Sequence, residues 1–156
     1  MKENEKGQQN NYDILYAEKT DINKWMKLVD IVKDDFPGLI KEEYEKILLD
    51  NIEAETALCA KDKDEIIGVL LFSVEENILS FLAVHPEYRG IGAATALISN
   101  MVKKFPKDSD IWVTTYREGD AKGEAARILY KKCGFSEGEL IEEFNYPCQK
   151  FVLHIV

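Results

Sequence analysis

A glycine-bearing turn, Arg89-Gly90-Ile91-Gly92-Ala93-Ala94, joins an apolar run ending at Val84-His85-Pro86 to a stretch of helical periodicity. That junction restricts the chain more than any other segment. A strand must stop, the backbone must turn through conformations that glycine tolerates, and a helix must begin at once. The first N–H groups of a helix have no partner inside it and point at whatever lies before the first turn. Such a junction holds phosphate well, and Arg89 adds a side-chain cation that suits pyrophosphate.

The flanking patterns set the frame around this turn. Ile22, Trp25, Met26, Val29 and Val32 recur at helical spacing, with Thr20 or Asp21 as N-cap. Phe36-Pro37-Gly38 interrupts the pattern, and Ile40, Tyr44, Ile47, Leu48 and Ile52 predict a second amphipathic helix. Thr56–Ala60, Ile66–Val74 and Ile78–Val84 read as strands joined by the polar turns Lys61–Asp64 and Glu75–Asn77, hence as antiparallel hairpins. After the glycine turn, Ala94, Leu97, Ile98 and Met101 share one helical face, and Phe105-Pro106 ends that helix. Ile111–Tyr116 is a strand, and Glu124–Lys132 is a helix stopped by Gly134. Leu140–Phe144 and Gln149–Ile155 predict a closing hairpin around Tyr146-Pro147. With no linker or internal repeat, this order gives one α/β domain around a mixed sheet of about six to seven strands and about four helices.

A chain of 156 residues suits a single domain, with 1–11 expected as a polar, flexible tail and 12–156 as the folded unit. No apolar run is long enough to span a bilayer, and no signal-peptide pattern is visible, so no membrane partner is expected. Three cysteines, Cys59, Cys133 and Cys148, are an odd number without metal spacing, which fits free thiols and a cytoplasmic location. The net charge of −9 argues against a nucleic-acid partner and is compatible with a cationic amine. The only histidines are His85, a turn residue beside Pro86, and His154 in the last strand, so no metal site is expected.

The glycine turn fits neither common nucleotide motif. Gly90 and Gly92 are followed by Thr95 where a dinucleotide fold needs glycine or alanine, and no Gly-Lys-Ser/Thr follows for a phosphate-loop NTPase. Two longer motifs are more specific. They are Leu82-Ala83-Val84-His85-Pro86-Glu87-Tyr88-Arg89-Gly90-Ile91-Gly92-Ala93-Ala94 and Ala125-Ala126-Arg127-Ile128-Leu129-Tyr130-Lys131-Lys132-Cys133-Gly134-Phe135. In this order, separated by a strand, they resemble the GNAT family of acyl-CoA-dependent N-acetyltransferases, and the resemblance runs from about Thr56 to the C-terminus. It implies that Leu82, Ala83 and Val84 pair their backbone with pantetheine. It likewise sets Arg89, Gly90, Ile91, Gly92, Ala93, Ala94 and Thr95 around the pyrophosphate of acetyl-CoA, with the thioester in a gap between two splayed strands. The loop Arg117–Gly123 departs from the commoner family pattern, which often has an asparagine here, and puts one cofactor contact in doubt.

Acyl transfer to an amine needs a base for the ammonium proton, a donor for the oxyanion and an acid for the departing thiolate. The resemblance implies Tyr130 as the acid, near the thioester sulfur. Glu75 and Glu76 lie in a turn where some family members carry a catalytic glutamate, which makes Glu76 the candidate base. Asp120 and a water chain are alternatives. The expected function is transfer from acetyl-CoA to a primary amine of a small molecule or protein, directly within a ternary complex. A non-catalytic acyl-CoA-binding regulator is the alternative. A third possibility is an interaction domain whose terminal Phe151–Val156 strand pairs internally or across a homodimer.

Overall fold

The computed structural model describes residues 11–156, so the expected tail lies outside the described residues except for Asn11. Seven strands form one sheet: β1 (Asp13–Tyr16), β2 (Ala57–Asp62), β3 (Glu65–Ser73), β4 (Ile78–Val84), β5 (Asp110–Tyr116), β6 (Ser136–Glu143) and β7 (Tyr146–His154). Four helices accompany them: α1 (Ile22–Val32), α2 (Lys41–Glu53), α3 (Ala93–Val102) and α4 (Glu124–Lys132). The sheet order is β1-β2-β3-β4-β5-β7-β6. Among the described residues only the β4–β5 pair is parallel, because α3 carries the chain across between them.

Two apolar cores cover the sheet. Trp25, Leu28 and Val29 of α1 and Tyr44 and Leu48 of α2 pack with Cys59, Val69, Leu71 and Ala83 on one face. Leu97, Ile98 and Met101 of α3, and Tyr130 of α4, pack with Leu70, Leu79, Ile111, Val113 and Phe151 on the other. Strand residues two apart share a face. Ile111 and Val113 therefore belong to the α3/α4 side, while Trp112, Thr114 and Tyr116 face the α1/α2 side.

Three details differ from the sequence reading. β1 was not expected as a strand; it is a four-residue edge strand paired with β2, too short and too exposed to show alternation. Lys61 and Asp62 belong to β2, which leaves only Lys63-Asp64 as the turn. The final hairpin turns at Phe144-Asn145, not at Tyr146-Pro147. Both turn residues have positive φ, 53° and 63°, as a two-residue hairpin turn requires, and Tyr146 pairs with Glu143. Because β7 pairs with β5 on one edge and β6 on the other, the terminal strand spends its hydrogen bonds internally.

Candidate active site

The sheet is two half-sheets joined at one end. β4 and β5 share only the Ile78–Trp112 register, sealed by the Trp112 N–H donating to the Asn77 carbonyl at 2.9 Å. Beyond it the strands diverge and leave a cleft. Which groups line it follows from the alternation of antiparallel ladders. The His85 N–H donates to the Ile67 carbonyl at 2.8 Å, so in the same register Ala83 bonds to Val69 of β3. Leu82 and Val84 then turn their amide edges the other way, into the cleft. Across from them Thr114 and Tyr116 do the same, because Ser109 and Ile155 fix the bonded register of β5 with β7. Ser80, skipped where the β3–β4 register shifts, lies in a bulge of β4.

At the open end of the cleft stands the glycine turn. Gly90 and Gly92 both have φ of +85°, and Gly92 caps α3, so the first amides of Ala93, Ala94 and Thr95 lie ahead of any intrahelical partner. The Tyr12 hydroxyl donates to the Ile91 carbonyl at 3.4 Å and braces the turn from β1's side. Arg89 takes a local role in this state. Its Nε donates to the Val84 carbonyl at 3.4 Å, and its guanidinium lies 3.8 Å from the Asp35 carboxylate. Asp35 belongs to the connection between α1 and α2, so this connection reaches across the cleft mouth. The Tyr116 hydroxyl donates to the Asp35 carbonyl at 3.4 Å, next to a Tyr116–Tyr146 ring contact of 5.2 Å.

Tyr130 of α4 packs into the core on the α3/α4 face of the sheet. The Gly134-Phe135 end of its motif explains how it is held. The Phe135 N–H donates to the Tyr130 carbonyl at 2.9 Å and the Gly134 N–H to the Lys131 carbonyl at 3.0 Å, with Gly134 at φ +100°. This is a Schellman cap, whose usual apolar contact is here the Tyr130–Phe135 ring pair, 5.5 Å apart. The cap therefore orients the tyrosine as well as ending the helix. Phe151 packs on the same ring at 6.0 Å. Burial pushes the Tyr130 phenol well above its ordinary range, so it stays protonated and keeps its O–H to donate. Its hydroxyl has no hydrogen-bond partner among the described residues.

Glu76 sits in the Val74–Asn77 turn at the closed end of the cleft, where its N–H donates to the Ser73 hydroxyl at 3.1 Å. The length of β4, roughly 20 Å at 3.3 Å per residue, separates that turn from the phosphate end. Asp120 is engaged elsewhere. It accepts from the Tyr146 hydroxyl at 2.7 Å and the Lys122 N–H at 3.0 Å, and these bonds hold its carboxyl below the usual range. The Lys122 ammonium lies 5.4 Å over the Tyr146 ring. His85 is a turn residue, its Nδ1 accepting the Glu87 N–H at 3.1 Å.

The sequence reading missed Arg127. It is buried, and it ties the far wall of the cleft to α4. Its guanidinium donates to the Tyr116 carbonyl at 3.0 Å, the Gln149 Oε1 at 2.8 Å and the Glu137 carboxylate at 2.8 Å. The cation also lies 4.9 Å from the Phe151 ring. Its spacing of three residues from Tyr130 was the available signal, since it puts the two on one helical face. Away from the cleft, a depression of about 320 Å³ is lined by Asp110, Trp112, Glu139, Lys150 and Val152. It opens on the sheet face beside the closed end and meets neither Tyr130 nor the glycine turn.

The sheet thus holds one splayed parallel pair that opens onto a glycine-capped helix entry. The chain belongs to the acetyltransferase (GNAT) family, whose model matches residues 25–135. No curated protein matches it in sequence. Among solved structures it resembles a GNAT-family acetyltransferase from Bacillus cereus, at 20% identity and a TM-score of 0.73 over 93% of this chain and 98% of that one. It also resembles yncA of Salmonella typhimurium, solved with its cofactor acetyl-CoA, at 13% identity and a TM-score of 0.72 over 93% and 94% of the two chains. A ribosomal-protein alanine N-acetyltransferase from Escherichia coli matches at 18% identity and a TM-score of 0.72, over 92% and 94%. At these identities the likeness is one of fold.

Proposed function

We propose that the protein transfers an acetyl group from acetyl-CoA to a primary amine by direct attack within a ternary complex. The observation that carries this reading is the β4–β5 cleft, with an amide ladder leading to the glycine turn at one end and a protonated tyrosine on the α4 side. Leu82 and Val84 would bond the pantetheine amides, with Ala83 packed behind them in the β3 ladder. The amides from Gly90 to Thr95 would take the pyrophosphate, with Arg89 swinging from Asp35 to join them. Tyr130 would donate to the departing thiolate. Since a thiol of pKa about 8.5 is already a fair leaving group, this acid supplies a modest part of the rate.

Direct transfer is favoured because none of the three thiols is activated. Burial pushes Cys59 up to about 12 and raises Cys133 and Cys148 as well. Glu76 would take the ammonium proton through water at the closed end. A cationic acceptor suits the net charge of −9 and the carboxylates Asp34, Asp35, Glu142 and Glu143. Because Glu76 sits at the closed end of the cleft, the length of β4 from the glycine turn, a second reading is an acyl-CoA-binding regulator without turnover. Coenzyme A release, assayed over a panel of small amines, polyamines and peptides, separates the two. Tyr130→Phe should lower kcat roughly 10- to 100-fold, toward the low end for an acid–base group, and leave coenzyme A affinity unchanged. An unaltered kcat in that variant would remove Tyr130 from the mechanism, and no turnover with any amine would favour the regulator.

A further inference from the structure

The connection between α1 and α2, residues 33–40, meets both strands of the cleft at Asp35. The Asp35 carbonyl accepts the Tyr116 hydroxyl at 3.4 Å, which ties it to the end of β5. Phe36, the next residue, packs on the Phe81 ring of β4 at 4.5 Å, on the α1/α2 face. Between these two holds the Asp35 carboxylate stands 3.8 Å from the Arg89 guanidinium. Arg89 in turn rests its Nε on the carbonyl of Val84, where β4 ends. Both side chains are open to solvent, 66% exposed for Asp35 and 56% for Arg89, so a ligand reaches them without disturbing the core.

Arg89 therefore has two uses that exclude one another. An exposed ion pair holds weakly, whereas a pyrophosphate on the glycine turn offers the guanidinium more charge and forked hydrogen bonds. When the cofactor takes Arg89, the Asp35 carboxylate loses that cation but keeps its place. Its holds on Tyr116 and Phe81 run through the backbone carbonyl and the neighbouring ring, which Arg89 does not touch. We propose, resting on the transferase reading above, that Asp35 then anchors a second cation of the acceptor, an ammonium or guanidinium apart from the nitrogen that is acetylated. The reacting nitrogen must be neutral to attack, so a carboxylate at the mouth serves a different group of the same molecule. Val84 and Leu82 are two residues apart on β4, about 7 Å, a span that a chain of a few carbons bridges. The acceptor class is thus an amine with a second cationic group, of which an α,ω-diamine is the simplest. The exchange of cations at Asp35 makes the cofactor's arrival the condition for holding it.

Calorimetry and acetylation kinetics test the two halves. Coenzyme A should bind Asp35→Asn about twofold more tightly than the wild type, and the gain should vanish in an Arg89→Ala background. With acetyl-CoA, the wild type should use cadaverine in preference to pentylamine, the same chain without the second ammonium. Asp35→Asn should raise the KM for cadaverine roughly fivefold with little change in kcat, and Asp35→Glu should restore part of the preference. The inference is overturned, with the cofactor reading intact, if coenzyme A affinity ignores Asp35 or the gain persists without Arg89. Turnover of neither amine, no preference for cadaverine, or a preference untouched by Asp35→Asn overturns it equally. Failure of the folded wild type to bind coenzyme A overturns both.

Discussion

Arg127→Met probes whether the far wall of the cleft depends on one buried cation. Methionine fills much of the same volume but leaves the Tyr116 carbonyl and the Gln149 Oε1 without their donor. Arg127 and Gln149 are 6% and 8% exposed, so water replaces that donor poorly. Each acceptor stranded this way costs about 1–3 kcal/mol, and the lost cation–ring contact with Phe151 adds about 0.5–1 kcal/mol. Glu137 contributes little, because it keeps Lys131 at 2.7 Å and its side chain is 38% exposed. The expected loss is about 3 kcal/mol in urea unfolding, with an unchanged m-value, or roughly 6–12 °C in melting temperature for a chain of this size. Adding Gln149→Met removes one stranded acceptor, so the double variant should recover about 1 kcal/mol relative to additivity. Coenzyme A affinity should fall as well, since Tyr116 ends the strand that lines the cleft. A loss below about 1 kcal/mol, or strictly additive variants, would refute the reasoning from stranded acceptors.

Two further predictions rest on close packing and on burial. Gly123→Ala would set a Cβ 2.7 Å from the Cβ of Tyr116, so it should cost about 1–3 kcal/mol by overpacking, measurable as a lowered urea midpoint. Cys59 has its pKa raised by burial above all, to about 12, so the folded state holds its proton after the unfolded thiol has lost its own near 8.5. Its contribution to stability is therefore complete below about pH 8.5 and declines as pH rises from there toward 12. Cys59→Ser should flatten that decline in pH-dependent unfolding, and Cys59 should resist thiol reagents at pH 8 until the protein unfolds.

How much was legible in the chain varied with the kind of interaction. α4 was read from Glu124 to Lys132 and β4 from Ile78 to Val84 without error, because apolar periodicity and a glycine stop are local signals. The glycine turn was legible for the same reason. β1 was not, since an edge strand buries little and shows no alternation. The hairpin turn was misplaced because Tyr146-Pro147 looks like a turn. In the fold, the positive φ of Phe144 and Asn145 makes the turn, and Pro147 lies within β7. Arg127 was invisible for a further reason. A helical arginine reads as a solvated charge. Only its three-dimensional neighbours, Tyr116, Gln149 and Glu137, give it meaning.

The central claim is that the β4–β5 cleft and the glycine turn together hold acetyl-CoA. Calorimetric titration of coenzyme A into the wild type and Gly92→Ala tests it most directly. Gly92 has φ of +85°, where an L side chain costs about 1–2 kcal/mol, so alanine must either strain the turn or withdraw its amides from the ligand. The account predicts micromolar binding by the wild type and a loss of roughly tenfold or more in the variant, with the fold retained by circular dichroism. A folded wild type that does not bind coenzyme A at millimolar concentration would contradict it.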